Sequence, residues 1–392
     1  MFQVLSIRSF PDRIRFMPVR TYRIALIIDS LARAGAQRQV VLLLEGLRAH
    51  GHQVLVLALN DDTDPDNRIR IGALADLHII GKLRLALELG PIGLWHRLRE
   101  WRADLILTML DVSDVLGRIA GRLYHRGPIV SSIRGPNLHK RPWWLLLDRL
   151  TIPWADRVVF NSHSVAAGSR ERLGLREEQI RVIANGIEPA LHIAEPADRM
   201  ELGIPPHARV VLTVGRLYPE KRFDSLLDAF ARLPADTHLL IVGIGILHES
   251  LAEQTARLGL TGRVHFLGRR HDVPALLALS EVFVLPSAWE GMPNVIMEAM
   301  AAGCPIVATR IDGTLELLPD PSFGWLVDPG QPEQLAGAIG TALEDRAESK
   351  ARARRALARI TDEFGAGRMV QRYEALFDEL LGGMPDSRTA SD

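Results

Sequence analysis

The sequence predicts an α/β protein built from two Rossmann-like domains. Short apolar runs alternate along the chain with stretches of helical period, the pattern of parallel sheets buried on both faces. The runs form two series of about six, which favours two nucleotide-binding-type sheets over one large sheet. With 392 residues the chain is long enough for two domains of ordinary size.

In order, the strand candidates of the first series are 22–29, 53–59, 77–80, 103–109, 128–134 and 157–162. Those of the second are 209–215, 237–243, 263–268, 282–287, 305–310 and 324–329. The boundary is expected in 183–209, where the turn signal Asn185-Gly186 is followed by a Pro-rich stretch. This gives a first domain over 21–186 and a second over 187–363. The stretch 364–382 reads as one amphipathic helix, and 383–392 as a disordered tail. Residues 1–20, interrupted by charges and prolines, read as an extension, disordered or untranslated; Met17 is a second candidate start. They make a poor signal peptide.

Basic and acidic side chains balance, 47 against 47, so the basic excess of a nucleic-acid binder is lacking. The single Cys304 rules out an internal disulfide and suits a reducing, cytoplasmic compartment. Only four residues are lysine, among them Lys221. In a chain that otherwise uses arginine, a lysine at a strand end stands out.

Three strand ends in the second series carry chemistry. Strand 209–215 ends at Gly215 and opens a helix, with Arg216 and Lys221 at the turn. A helix N-terminus with an arginine fork and a lysine point charge suits a diphosphate, although both could be solvated turn residues. Gly243 and Gly245 follow the next strand, and a packing role for them is as good a reading as ligand contact. Gly268, Arg269 and Arg270 end the third, where a nucleobase could lie. The segment 287–309, SAWEGMPNVIMEAMAAGCPIVAT, holds two carboxylates in an otherwise apolar run, Glu290 in a loop and Glu298 on a helix beginning near Asn294 and capped by Gly303. No cation stands three or four residues from Glu298 on that helix. A buried carboxylate needs a partner, and two ribose hydroxyls supply one. The plainer alternatives are an arginine from the other domain for Glu298, and helix-dipole complementarity for Glu290.

Glu290 to Glu298 as E-x7-E, with VGRLYPEKRFDSLLDAF, FLGRRHDV and VFVLPS in order, resembles retaining glycosyltransferases of the GT4 type. The resemblance spans nearly all of 22–382. It implies the GT-B fold, with the two domains facing across a cleft and the last helix returning to the first. It implies that Arg216 and Lys221 bind the donor diphosphate, that Glu298 holds the ribose, and that Arg270 lies by the base. It also implies that Glu290 faces the transferred sugar, with Gly291, Met292, Pro293 and Asn294 on its hydroxyls, and that Gly35 lies near the phosphates. The family usually has two adjacent glycines and a glutamate where this chain has Ala34-Gly35-Ala36-Gln37, an aspartate at Ile244, and a histidine after the fifth strand. Here Arg134 ends that strand, and it is preferred over His139 as the first-domain catalytic contact.

The implied reaction is retaining, metal-independent transfer of a sugar to an acceptor hydroxyl in bacterial cell-surface polysaccharide or glycolipid synthesis. The donor is expected to be a UDP-sugar, with UDP-N-acetylhexosamine as one form. No cofactor, no metal and no nucleic acid is expected. Between 138 and 157, Lys140, Arg141 and Arg149 mix with Trp143, Trp144, Trp154 and a leucine run. This stretch is either a peripheral contact with the inner face of the cell membrane, pointing to a lipid-linked or glycan acceptor, or a helix packed in the first domain's core, which is slightly favoured. A nucleotide-sugar 2-epimerase and an inactive binding scaffold of the same fold are the alternatives. A dinucleotide-dependent dehydrogenase is poorer, because no G-x-G-x-x-G follows the first strand.

Overall fold

The computed structural model describes residues 20–32, 34–81, 90–124, 127–135 and 142–382. The extension 1–19, His139, Lys140, Arg141 and the tail 383–392 lie outside the described residues.

The first domain is a parallel sheet of seven strands: β1 (Arg23–Ile28), β2 (Gln53–Ala58), β3 (Asp76–Ile79), β4 (Leu105–Met109), β5 (Ile129–Ile133), β6 (Arg157–Phe160) and β7 (Ile180–Val182), in the order β3-β2-β1-β4-β5-β6-β7. The second is a parallel sheet of six: β8 (Arg209–Val214), β9 (Thr237–Val242), β10 (Val264–Gly268), β11 (Val282–Leu285), β12 (Ile306–Thr309) and β13 (Trp325–Val327), in the order β10-β9-β8-β11-β12-β13. Every strand expected from the apolar runs is present. β7 was not expected: it is three residues long, half-buried at the sheet edge and set among charged residues, so it lacks the apolar run that marks the others.

In both sheets the order reverses beside the first strand of the domain, at β1/β4 and at β8/β11. Ligands of open α/β sheets bind outside the carboxyl ends of strands at such a switch point. At the end of β1, Asp29 accepts hydrogen bonds from Val112 N (3.2 Å) and Ser113 N (2.7 Å) at the start of helix Asp111–Tyr124. Burial raises this carboxyl above its usual range against those amide donors.

The last helix, Ala366–Leu381, packs on the first domain, with Met369, Val370, Tyr373 and Phe377 in the same core as β1 and helix Gly35–Ala49. Glu374 receives His50 Nδ1 at 2.6 Å and His52 Nε2 at 3.1 Å. The chain crosses between domains at Ile187, whose N–H donates to Phe364 O (2.9 Å) and whose carbonyl accepts from Ala366 N (2.8 Å).

Gly46 allows this helix to close. A Cβ there would lie 2.3 Å from Val370 Cγ2, and Val370 is β-branched and fully buried. Gly46→Val should therefore destabilise the protein by about 1–3 kcal/mol by overpacking. Val370→Ala in the same chain should recover part of that loss in thermal unfolding, more than additivity allows.

Candidate functional site

The site is built at the carboxyl ends of β8 to β12. Gly243, at the end of β9, has φ +143°, and a Cβ on it would meet the carbonyl of Gly215 at 1.8 Å. A Cβ on Gly245 would meet Leu217 O at 2.4 Å. Both glycines thus have a packing reason: they let two strand-end loops touch. Their loops and that of Arg269 and Arg270 surround a cavity of about 400 Å³ beside Gly215, Arg216 and Tyr218. Arg270 holds its guanidinium on Asp272 (2.6 and 2.9 Å).

The two turn cations differ. Arg216 is exposed, leans over the Tyr218 ring and reaches Glu220 at 3.3 Å, which fits the solvated reading. Lys221 is half-buried and ion-paired to Glu290. Ser287 Oγ donates to the same Glu290 oxygen at 2.9 Å. Glu290 therefore answers a cation from the β8 turn rather than a helix end. It borders a second, open cavity of about 290 Å³ with Trp289, Ser164, Val165, Ile311 and Asp312, so residues of both domains line it. Gly313 supports this loop, since a Cβ there would meet Gly291 O at 2.4 Å and Glu290 O at 2.6 Å.

Glu298 lies on helix Asn294–Ala301. The arginine from the other domain is what meets it: Arg38, in the first turn of helix Gly35–Ala49, is ion-paired to its carboxylate. The Glu298 side chain is 12% exposed and that of Arg38 41%. Burial raises the Glu298 carboxyl above its usual range, and Arg38 opposes the shift. Arg38 Nη2 also lies 2.8 Å from His192 Nε2. His192 Nδ1 stands 3.0 Å from Glu188 O, an arrangement in which Nδ1–H donates and Nε2 accepts from the guanidinium. Burial, then the Arg38 charge, push the His192 imidazole down to about 4.

A neutral network runs beside this pair. Asn294 Oδ1 accepts from Asn185 Nδ2 at 2.8 Å and from Gln39 Nε2 at 3.4 Å. Gln39 forms a double bond pattern with Gly186, accepting its N–H at 2.7 Å and donating to its carbonyl at 2.9 Å. Met292 is buried, and its sulfur lies 3.3 Å from Asn185 N. Pro293 precedes the first turn of the Glu298 helix. Gly35 abuts Asn294, where a Cβ would lie 2.5 Å from Nδ2. Arg134 donates to Asn185 Oδ1 (2.7 Å) and Tyr373 OH (2.8 Å). Its carbonyl backs Gly291, but its guanidinium faces the hinge and does not line the cavity of Glu290. The structure therefore gathers Gly35, Lys221 and Glu290 to Glu298 at one interdomain cleft, with the cavity of Arg216 and Arg270 beside it. Sequence reasoning missed Arg38, Asn185, His192, Ser287 and Gly313. Arg38 carried one signal, a cation in the first turn of a helix, where the dipole disfavours positive charge.

Two family models match: Glycosyltransferase Family 4 over residues 33–191, and Glycosyl transferases group 1 over 194–359. The chain belongs to this glycosyltransferase family. Over 190 residues it is 37% identical to the lipopolysaccharide core biosynthesis glycosyltransferase LpsE of Rhizobium meliloti (strain 1021), covering 48% of this chain and 54% of LpsE. Over 272 residues it is 28% identical to the UDP-Gal:alpha-D-GlcNAc-diphosphoundecaprenol alpha-1,3-galactosyltransferase of Escherichia coli, covering 65% and 70%. The chain thus spans about half the length of LpsE. Anabaena HepE, solved in complex with UDP, superposes with a TM-score of 0.80 at 27% identity over 91% of this chain and 100% of that one. The two sheets and the cleft between them are the GT-B fold.

The His192 geometry makes a pH prediction. Its folded-state value lies below that of an unfolded histidine, so the unfolded chain binds more protons between pH 6.5 and about 4. The stability that neutral His192 contributes is complete above pH 6.5 and lost as pH falls through that window. His192→Gln should therefore show a smaller fall in Tm than wild type between pH 6.5 and 4.5, and an equal fall in both would refute the assignment.

Proposed function

We propose that this glycosyltransferase moves a sugar from a UDP-sugar to an acceptor hydroxyl with retention of anomeric configuration, and that it needs no metal ion. The observation that carries the reading is the Lys221–Glu290 pair at the mouth of a cavity bordered by both domains. Lys221 stands where a leaving diphosphate gathers charge, and a fixed cation there lowers the barrier electrostatically. Glu290 lies where the sugar would sit and orients it through its hydroxyls. In front-face attack the acceptor oxygen bonds to the anomeric carbon as the carbon–phosphate oxygen bond breaks, and the hydroxyl proton passes to the departing diphosphate. Glu298 takes the ribose hydroxyls, and the cavity beside Arg270 takes the base. The UDP complex of HepE and the UDP-Gal donor in the name of the E. coli relative support UDP.

For the acceptor we propose a glycan carried on a lipid, in cell-surface polysaccharide or glycolipid synthesis, as the names of both relatives suggest. Helix Pro142–Thr151 adds a physical reason. Trp143, Leu146 and Leu150 share one face and are 54%, 57% and 60% exposed. Trp154 and Arg149 are exposed next to them. This departs from the core-packed helix that the sequence slightly favoured: the partner of helix Asp111–Tyr124 is instead the opposite face, through the buried ion pair Asp148–Arg118. An apolar face rimmed by arginine suits a peripheral position on an anionic membrane surface. Among the described residues no helix is long and apolar enough to cross a membrane.

Lys221→Ala should lower UDP affinity in calorimetry about tenfold or more. Glu290→Ala should leave UDP affinity nearly intact while reducing turnover at least a hundredfold, and the product should carry the donor's anomeric configuration by NMR, with a rate unchanged by EDTA. Inverted product or loss of activity in EDTA would overturn the mechanism. Leu146→Glu with Leu150→Glu should abolish sedimentation with phosphatidylglycerol vesicles without changing Tm.

A further inference from the structure

Each carboxylate that the donor would use is ion-paired to a cation of this chain. Glu290 holds Lys221, and Glu298 holds Arg38. Lys221 belongs to the diphosphate site on other grounds, so its place on Glu290 is a resting position, to be left when a sugar hydroxyl replaces it. Arg38 stands in the same relation to Glu298. It is delivered by the first turn of the helix that begins at Gly35, and Gly35 abuts Asn294 at the start of the Glu298 helix. The guanidinium thus lies between a helix of each domain. A guanidinium has five donors, and its fork suits a phosphate as well as a carboxylate. Its second contact is neutral His192 on the hinge, which accepts one N–H and leaves the charge uncompensated once Glu298 turns to another partner.

We propose that Arg38 is a third cation of the donor site, paired with Glu298 as seen here and passing to the donor diphosphate when the ribose hydroxyls take Glu298. The proposal rests on Glu298 holding the ribose. Donor entry is then a partner exchange. Two carboxylate–cation pairs are replaced by carboxylate–hydroxyl and cation–phosphate bonds, so each charge has a partner before and after the exchange. Because Arg38 belongs to the first domain and Lys221 to the second, a diphosphate held by both draws the domains together and links closure to an intact donor.

The test compares two ligands by calorimetry: UDP, and uridine, which has the ribose and base but no phosphate. Arg38→Gln should weaken UDP about tenfold and leave uridine unchanged or tighter, because Glu298 is no longer shared. Arg38→Lys, which keeps the charge and guards against a folding defect, should lose less UDP affinity than Arg38→Gln. Equal weakening of UDP and uridine would show a structural role only, and unchanged UDP affinity would show that Arg38 does not reach the phosphates; either result overturns the proposal. Glu298→Gln addresses the ribose reading separately. It should weaken uridine and UDP alike, and if it weakens neither, the ribose assignment falls whatever Arg38 does.

Discussion

The constraint on which this site depends is the high cost of an unpaired buried carboxylate. Glu290 and Glu298 stand eight residues apart in a segment that is otherwise core, and neither has a cation on its own helix or loop. Each must be answered from a distance, and the two answers come from different places. Lys221 reaches Glu290 from the turn after β8, within the second domain. Arg38 reaches Glu298 from the first domain. The need to compensate two charges thus fixes the β8 turn against the β11 loop, and one domain against the other.

Around these charges the cleft is closed by neutral groups with their donors and acceptors matched. Asn185, Asn294, Gln39 and Gly186 bridge the hinge, the first helix of the chain and the Glu298 helix. Arg134 and Tyr373 extend the bridge to the returning helix. Polar networks of this kind are sensitive to small displacements, so a shift between domains alters several bonds together. The chain crosses the hinge at Ile187, where paired backbone bonds to Phe364 and Ala366 make the two crossings one strip. Such a joint allows rotation about a line while keeping the register of the cleft, which fits closure over a ligand.

Much of this was legible in the sequence, for reasons that differ by level. Parallel strands buried on both faces are continuous apolar runs, so twelve of the thirteen strands among the described residues announced themselves, and β7 did not because an edge strand of three half-buried residues has no such run. The carboxylates were legible because a charge in a core segment is conspicuous. Which residues answer them was not, since pairs separated by 69 and 260 positions leave no local pattern. Gly243 was visible as a glycine, but its purpose, a carbonyl of Gly215 where a Cβ would be, exists only once two loops meet. Arg134 was visible at a strand end, but its partners Asn185 and Tyr373 were not, because side-chain direction there is decided by what lies opposite. The apolar run at 142–151 was ambiguous because helical periodicity tells which residues share a face and not what that face meets.

The central claim is that this cleft is built for a uridine diphosphate sugar. The most direct measurement is thermal unfolding of the purified protein, without added metal, across UDP, GDP, NAD and a panel of nucleotide sugars. A ligand that binds only the folded state raises Tm in proportion to its saturation. The account predicts a rise with UDP and a rise with at least one UDP-sugar, and none with GDP or NAD. A rise with GDP in place of UDP would contradict the donor assignment, and no rise with any nucleotide would contradict the reading of Lys221, Glu290 and Glu298 as a donor site.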